Sequence, residues 1–161
     1  MHKDHCAIVT GAADGIGRAT TKLLRAQGAR VLAVDRNPEG LDSEHLTCDL
    51  TDADATTQIL EEAHKQIGNV DYLVNNAGIA AGMPIESMSD ELWRDVMAIN
   101  VDAVFRLSRA LIPDLKRSKR GRIVNIGSIR STLEAPKTFQ HIESLMHIAF
   151  KRKLGNERKT W

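Results

Sequence analysis

The stretch Thr10-Gly11-Ala12-Ala13-Asp14-Gly15-Ile16-Gly17 decides the fold. It follows the apolar run Cys6-Ala7-Ile8-Val9 and opens onto Arg18-Ala19-Thr20-Thr21-Lys22-Leu23-Leu24, so its context is strand, glycine turn, helix. Glycines let the backbone turn sharply and bring its N–H groups up to a ligand with no Cβ in the way. A helix starting near Ile16 points its positive end at whatever lies on the loop, and a diphosphate is the natural guest. Asp35 closes the next apolar run, Val31-Leu32-Ala33-Val34, near the spacing at which a carboxylate grips a ribose. A dinucleotide site is therefore expected at the start of the chain.

Working outward, apolar runs alternate with helical periods, the pattern of a parallel α/β sheet. Strands are expected at 6–10, 30–35, 45–48, 70–75 and 121–127. The first helix places Ile16, Ala19, Leu23, Leu24 and Gln27 on one face and stops at Gly28. Asp52 reads as the cap of a second helix, with Ile59, Leu60, Ala63 and Ile67 buried and Gly68 as its end. Ser89 and Leu92 begin the longest helix, 89–115. Its stripe is Trp93, Val96, Met97, Asn100, Val101, Val104, Phe105, Ser108, Leu111, Ile112 and Leu115, and Pro113 should bend or end it. Right-handed crossovers then give a doubly wound, Rossmann-like sheet in the order 3-2-1-4-5, with a ligand crevice between the first and fourth strands.

At 161 residues, one domain is the default, and 42% hydrophobic with 27% charged residues is ordinary for a globular chain. No apolar run reaches membrane-spanning length, and the N-terminus runs straight into a strand with no room for a signal peptide. Cys6 and Cys48 fall on expected neighbouring core strands and read as free buried thiols, which fits a reducing cytoplasm. Residues 137–161 carry six Lys/Arg against two Asp/Glu, a net +4, which leaves 16 against 19, or −3, in the other 136. The mildly acidic body offers no basic face for nucleic acid. The basic end reads as a solvated charge run, with an anionic partner as the alternative.

Asp35 also bears on the cofactor. A carboxylate accepts hydrogen bonds from a ribose 2′-hydroxyl and repels a 2′-phosphate, so NAD is preferred over NADP; Asp14 adds to this and Arg36 pulls the other way. The competing reading of Asp35 is a turn residue before Asn37-Pro38. Asp49, in Cys48-Asp49-Leu50, either lies beside an adenine edge or is a solvated carboxylate opening a turn. Asn75-Asn76-Ala77-Gly78 ends the fourth strand, where small residues leave space for a cofactor and amides can brace neighbouring strand ends. The six histidines show no metal spacing.

Thr10 to Gly17, Asp35, Asp49-Leu50, Asn75 to Gly78, Asn100 and Asn125-Ile126-Gly127-Ser128 together resemble the ordered motif series of the short-chain dehydrogenase/reductase family, from about residue 5 to 136. The resemblance implies a Rossmann fold and hydride transfer between a nicotinamide cofactor and an alcohol or carbonyl. It implies that Gly11, Asp14, Gly15, Ile16, Gly17, Asp35, Asp49, Leu50, Asn76, Ala77 and Gly78 hold the dinucleotide. It implies that Ser128 bonds the reacting oxygen and that Asn100 holds a water in a proton relay. The residues alone read Ser128 as a strand-ending serine and Asn100 as a helix-bonded amide. A serine hydroxyl at that strand end can also donate to a developing alkoxide.

The family's acid/base tyrosine and the lysine four residues later are missing. Aligned from Ser128, their positions fall at or near His141 and Leu145, and the sole tyrosine, Tyr72, lies in the fourth strand. His141 is a candidate acid/base by its intrinsic pKa, but its ring has a different shape and no ammonium stands beside it. The expected organisation is a Rossmann domain over 1–136 and an atypical basic end over 137–161, with Ile142, Leu145, Met146, Ala149 and Phe150 on one helical face. The chain reads as a family member truncated or frame-shifted before strands 6 and 7 rather than a genuine short variant. Two functions are carried forward: an NAD-dependent oxidoreductase acting on a small alcohol or ketone, with little or no activity, and a silent NAD-binding module or half-domain that pairs with another chain. A homo-oligomer is compatible with both.

Overall fold

The first apolar run forms β1 (Cys6–Thr10) in the middle of a five-stranded parallel sheet ordered β3-β2-β1-β4-β5. The other strands are β2 (Arg30–Asp35), β3 (His45–Thr47), β4 (Tyr72–Asn75) and β5 (Arg122–Asn125). The expected order and parallel sense are both found. The computed structural model describes residues 4–81 and 85–127, so Ser128, His141 and the basic end lie outside the described residues. The register is set by Thr10 opposite Val34, Val9 opposite Val74 and Asn75 opposite Asn125. All the strand ends that carry motif residues therefore emerge along one edge.

Both faces of β1 and β2 are covered, so Cys6–Val9 and Val31–Val34 are apolar without a break and sort by the two-residue alternation of a strand. Ile8, Leu32, Val34 and Leu73 pack with Ile59 and Ile67 of the α2 region and Leu107, Leu111 and Leu115 beyond it. Ala7, Val9, Val31, Ala33 and Val74 face the other way, against Ala12, Ala29 and Leu24. Helix α1 (Gly15–Ala26) covers this smaller-residue face, and α2 (Ala55–Gln66) and α4 (Val104–Arg117) cover the larger one. Each large aliphatic side chain removed from water this way contributes about 1.5–3 kcal/mol.

Several local expectations are corrected. On α1 the buried residues are Gly17 and Thr21, with Leu24 partly covered, while Ile16 and Leu23 are 61% and 59% exposed and Ala19 and Gln27 also face water. The N-cap of α2 is Asp54; Asp52 sits two residues earlier in a turn whose carbonyl accepts the Ala55 N–H. Ile59, Leu60, Ala63 and Ile67 do face the core, and the Gly68 N–H closes the helix on the Ala63 carbonyl. Ser89 caps α3 (Asp90–Met97) by accepting the Leu92 N–H, as expected. Pro113 does not end α4, which runs on to Arg117 with Pro113 on its exposed side and Leu111, Asp114 and Leu115 buried around it. The interruption lies earlier, where Ala98–Ala103 forms a π-helical turn centred on Asn100. Phe105 is 45% exposed, and Leu107 takes the core position instead. Cys6 and Cys48 are free and buried, but β2 separates their strands. No helix among the described residues is long and apolar enough to cross a membrane.

Candidate functional site

The site is built where the sheet's carboxyl edge meets the glycine loop. Thr10, at the end of β1, is its hub. The Thr10 hydroxyl oxygen accepts the N–H groups of Asn76 and Ala77, at 3.0 and 3.1 Å, and lies 3.4 Å from the Val74 carbonyl. Asn76 answers from β4: its Nδ2 donates to the carbonyls of Thr10 and Gly11, both at 3.0 Å. These bonds clamp the loop onto the segment after β4, and the Asn76 side chain is committed to that clamp. Next to it, the Asn75 Nδ2 donates to Asn125 Oδ1 at 2.8 Å, which braces β4 against β5 at the strand end leading to Ser128.

The glycines divide by what surrounds them. A Cβ on Gly17 would lie 2.0 Å from the Gly11 carbonyl oxygen and 2.5 Å from Asn76 Nδ2, so glycine is what lets α1 close onto the loop. Gly15 is the reverse case. It has φ +51°, a left-handed conformation that favours glycine, and among the described residues a Cβ there would meet nothing within 4 Å. Open space over the start of a 12-residue helix is the shape that a diphosphate requires, with α1's free N–H groups and positive dipole end beneath it. Asp14 is the exposed N-cap of that helix and makes no side-chain cap bond.

Asp35 ends β2 beside the loop. One carboxylate oxygen accepts the Ala13 N–H at 3.0 Å and the other accepts the Asn37 N–H at 3.0 Å, so the carboxylate is fixed in place while lone pairs remain on both atoms. Asp35 borders a cavity of about 150 Å³ with Gly11, Arg36, Cys48, Asp49, Leu50, Ala77, Gly78, Ile79 and Ile99. Of the residues expected on the adenosine side, Asp35, Asp49, Leu50, Ala77 and Gly78 line this cavity together, whereas Asn76 does not and is turned into the loop clamp instead. Asp49 opens a turn, its Oδ1 accepting the Thr51 N–H at 2.9 Å and hydroxyl at 2.8 Å, and it also lines the cavity. Those two bonds hold its carboxyl below the ordinary Asp range. Burial, then Asp52 and Asp49, push the Cys48 thiol up to about 11, which favours the uncharged thiol where it borders the cavity.

Asn100 is 7% exposed, and its side chain is fully directed at one residue. Oδ1 accepts the Ile79 N–H at 3.0 Å and Nδ2 donates to the Ile79 carbonyl at 2.9 Å, as a neighbouring strand would. A Cβ on Gly78 would come within 3.2 Å of that Oδ1. The amide thus fastens the π-helical turn to the segment after β4, with one lone pair on Oδ1 and one hydrogen on Nδ2 left over. Tyr72 lies at the other end of β4, with its hydroxyl 2.8 Å from His5 Nδ1. Sequence reasoning gave no role to Thr10 or Ile79; a hydroxyl at the end of a buried strand and a buried asparagine in a long helix were the available signals.

The short chain dehydrogenase family model matches residues 5–140. Among curated proteins, the 3-oxoacyl-(acyl-carrier-protein) reductase FabG of Escherichia coli K12 is 37% identical over 136 residues, covering 79% of this chain and 56% of the relative. The enzyme of the same name from Thermotoga maritima is 34% identical over 134 residues, covering 76% and 54%. That from Haemophilus influenzae is 35% identical over 132 residues, again covering 76% and 54%. The chain therefore spans little more than half the length of these relatives.

Proposed function

The chain belongs to the short chain dehydrogenase family, and from that premise we propose that residues 1–136 are the NAD-binding domain of an oxidoreductase moving a hydride between a nicotinamide cofactor and a small alcohol or its carbonyl counterpart. The relatives are named as reductases of a 3-oxo group, which fits that reaction class. The observation that carries the reading is the fixed Asp35 carboxylate at the cavity rim, held by an N–H of the glycine loop itself. Bound this way, it takes hydrogen bonds from ribose hydroxyls and disfavours a 2′-phosphate, so NAD is preferred over NADP. The open face of Gly15 would take the diphosphate, and Ala77, Gly78 and Leu50 the adenosine. The nicotinamide, when bound, supplies or accepts the hydride. Ser128 would donate to the reacting oxygen, with Asn100 and His141 as the remaining candidates for proton handling. Two buried free thiols support a reducing compartment such as the cytoplasm.

A second reading has its own support. The sequence after Ser128 contains no Tyr-x-x-x-Lys at any register. On this ground the chain binds NAD and turns over little or nothing, as a silent module or as one part of a site completed by another chain. Two measurements test the pair of readings. Asp35→Ala should lose NAD affinity and narrow the preference over NADP, and an unchanged preference would remove the main support. Following NADH formation from NAD with a panel of secondary alcohols separates enzyme from module, because turnover abolished by His141→Ala would refute the silent reading.

A further inference from the structure

We propose that Arg25, on the last turn of α1, is a positioning residue for the adenosine end of the site, acting through the 36–44 loop. The inference rests on the dinucleotide reading above. Arg36, Asn37 and Pro38, at the start of this loop, form one wall of an open hollow of about 520 Å³. Arg36 also borders the Asp35 cavity. The loop has no regular structure of its own, so something outside it must fix where that wall stands.

Arg25 does this from the opposite end. Its Nη2 donates to the carbonyls of Val31 at 2.8 Å and Glu44 at 2.9 Å, and also to the Ser43 carbonyl. Its Nη1 pairs with the Asp42 carboxylate. The Arg25 side chain is 16% exposed, against 62% for Asp42, so this is a largely buried guanidinium on a helix whose outer face is otherwise wet. A planar fork that meets backbone carbonyls and a carboxylate together is a geometry lysine cannot reproduce. Glu44 adds a second sign of constraint. It is a non-glycine residue at φ +51°, a conformation that persists only where the surroundings over-determine it. Its carbonyl takes both the Arg25 and the Ala33 N–H donors. Between the two ends, Gly40 crosses the glycine loop so closely that a Cβ would lie 2.6 Å from the Ala13 carbonyl oxygen. Ala13 is the residue whose N–H holds Asp35. The clamp, the loop wall and the ribose carboxylate are thus one mechanical unit.

The test compares Arg25→Ala, Arg25→Lys and Asp42→Asn, each in the 161-residue chain, with His64→Ala, which destabilises the molecule away from the site. Affinities for NADH and ADP-ribose are read by fluorescence titration and competition, well below each melting point. Arg25→Ala and Arg25→Lys should weaken both ligands by about tenfold and reduce the ratio of NADH to NADPH affinity. Asp42→Asn, on an exposed loop residue, should move both in the same direction by a smaller factor, and it keeps the test valid if the Arg25 variants do not fold. His64→Ala should leave affinities and ratio unchanged. The proposal is overturned if Asp42→Asn and any folded Arg25 variant bind like wild type, or if His64→Ala shifts binding equally. Wild type that binds neither ligand would instead overturn the dinucleotide reading, and this inference with it.

Discussion

Replacing Asn76 tests whether the loop clamp is what connects stability to binding. Its Nδ2 makes two bonds, each 3.0 Å, to the carbonyls of Thr10 and Gly11. Neutral hydrogen bonds of this kind contribute about 0.5–1.5 kcal/mol each, and a buried carbonyl left bare adds to the loss. Gly11 is only half-buried, so water recovers part of one bond. Asn76→Ala should therefore cost about 2 kcal/mol, and at this chain length the melting temperature should fall by about 4–8 °C. Asn76→Asp keeps the shape but turns a donor into a carboxylate oxygen facing two carbonyls, so it should cost more than alanine at pH 7. Thermal melts by circular dichroism and NADH titration, run on the same samples, give both readouts. Affinity should fall in both variants although the Asn76 side chain is committed to the loop. Alanine melting with wild type, or aspartate no worse than alanine, would refute the reasoning.

Other predictions concern the loop glycines and a buried carboxylate. Gly17→Ala drives a Cβ to 2.0 Å from a backbone oxygen and should destabilise by about 2 kcal/mol or more, whereas Gly15→Ala meets open space and should cost about 1 kcal/mol while losing NADH affinity. Denaturant titrations beside NADH titrations separate the two. Asp114, 5% exposed, accepts from His64 Nε2 at 2.8 Å and the Val70 N–H at 3.1 Å, with Arg117 paired beside it. Burial pushes its pKa up, but the His64 and Val70 bonds and the Arg117 charge outweigh it and leave it below the ordinary Asp range. A lowered folded pKa means that this stability is present above the unfolded value near 4 and is lost as pH falls through the folded one, so Asp114→Asn should cost about 2–4 kcal/mol at pH 7 and progressively less toward pH 3. Urea titrations at pH 7, 5 and 3 read this directly, and a pH-independent difference would contradict it.

The fold was legible because β1, β2 and β4 carry dense apolar runs, and the glycine loop fixes which strand comes first. What failed shows where pattern reading stops. On α1, the pattern pointed to Ile16, Ala19, Leu23, Leu24 and Gln27, yet of these only Leu24 packs on the core, beside the buried Gly17 and Thr21. A helix that must touch a loop backbone shows it by its smallest residue, not by its most apolar ones. Pro113 looked like a place for the helix to bend or end, but it is exposed and α4 continues past it to Arg117, with Leu111, Asp114 and Leu115 buried around it. The break lies at Asn100, where a side chain pairs with the Ile79 backbone 21 residues away. The Arg25 clamp was invisible for a similar reason: it joins a helix end to a loop 17 to 19 residues on, with no periodicity to mark it. By contrast, the gathering of Asp35, Asp49, Ala77 and Gly78 around one cavity was foreseeable from the strand order, because parallel strands deliver their ends to one edge.

We propose that the glycine loop and Asp35 hold a nicotinamide dinucleotide and that Asp35 selects NAD over NADP. Titrating the purified chain with NADH and NADPH, by nicotinamide fluorescence, tests it most directly. Saturable binding of NADH should be at least about tenfold tighter than that of NADPH, the difference expected for a carboxylate meeting a hydroxyl rather than a phosphate. Equal or tighter binding of NADPH would contradict the Asp35 argument, and no binding of either would contradict the account as a whole.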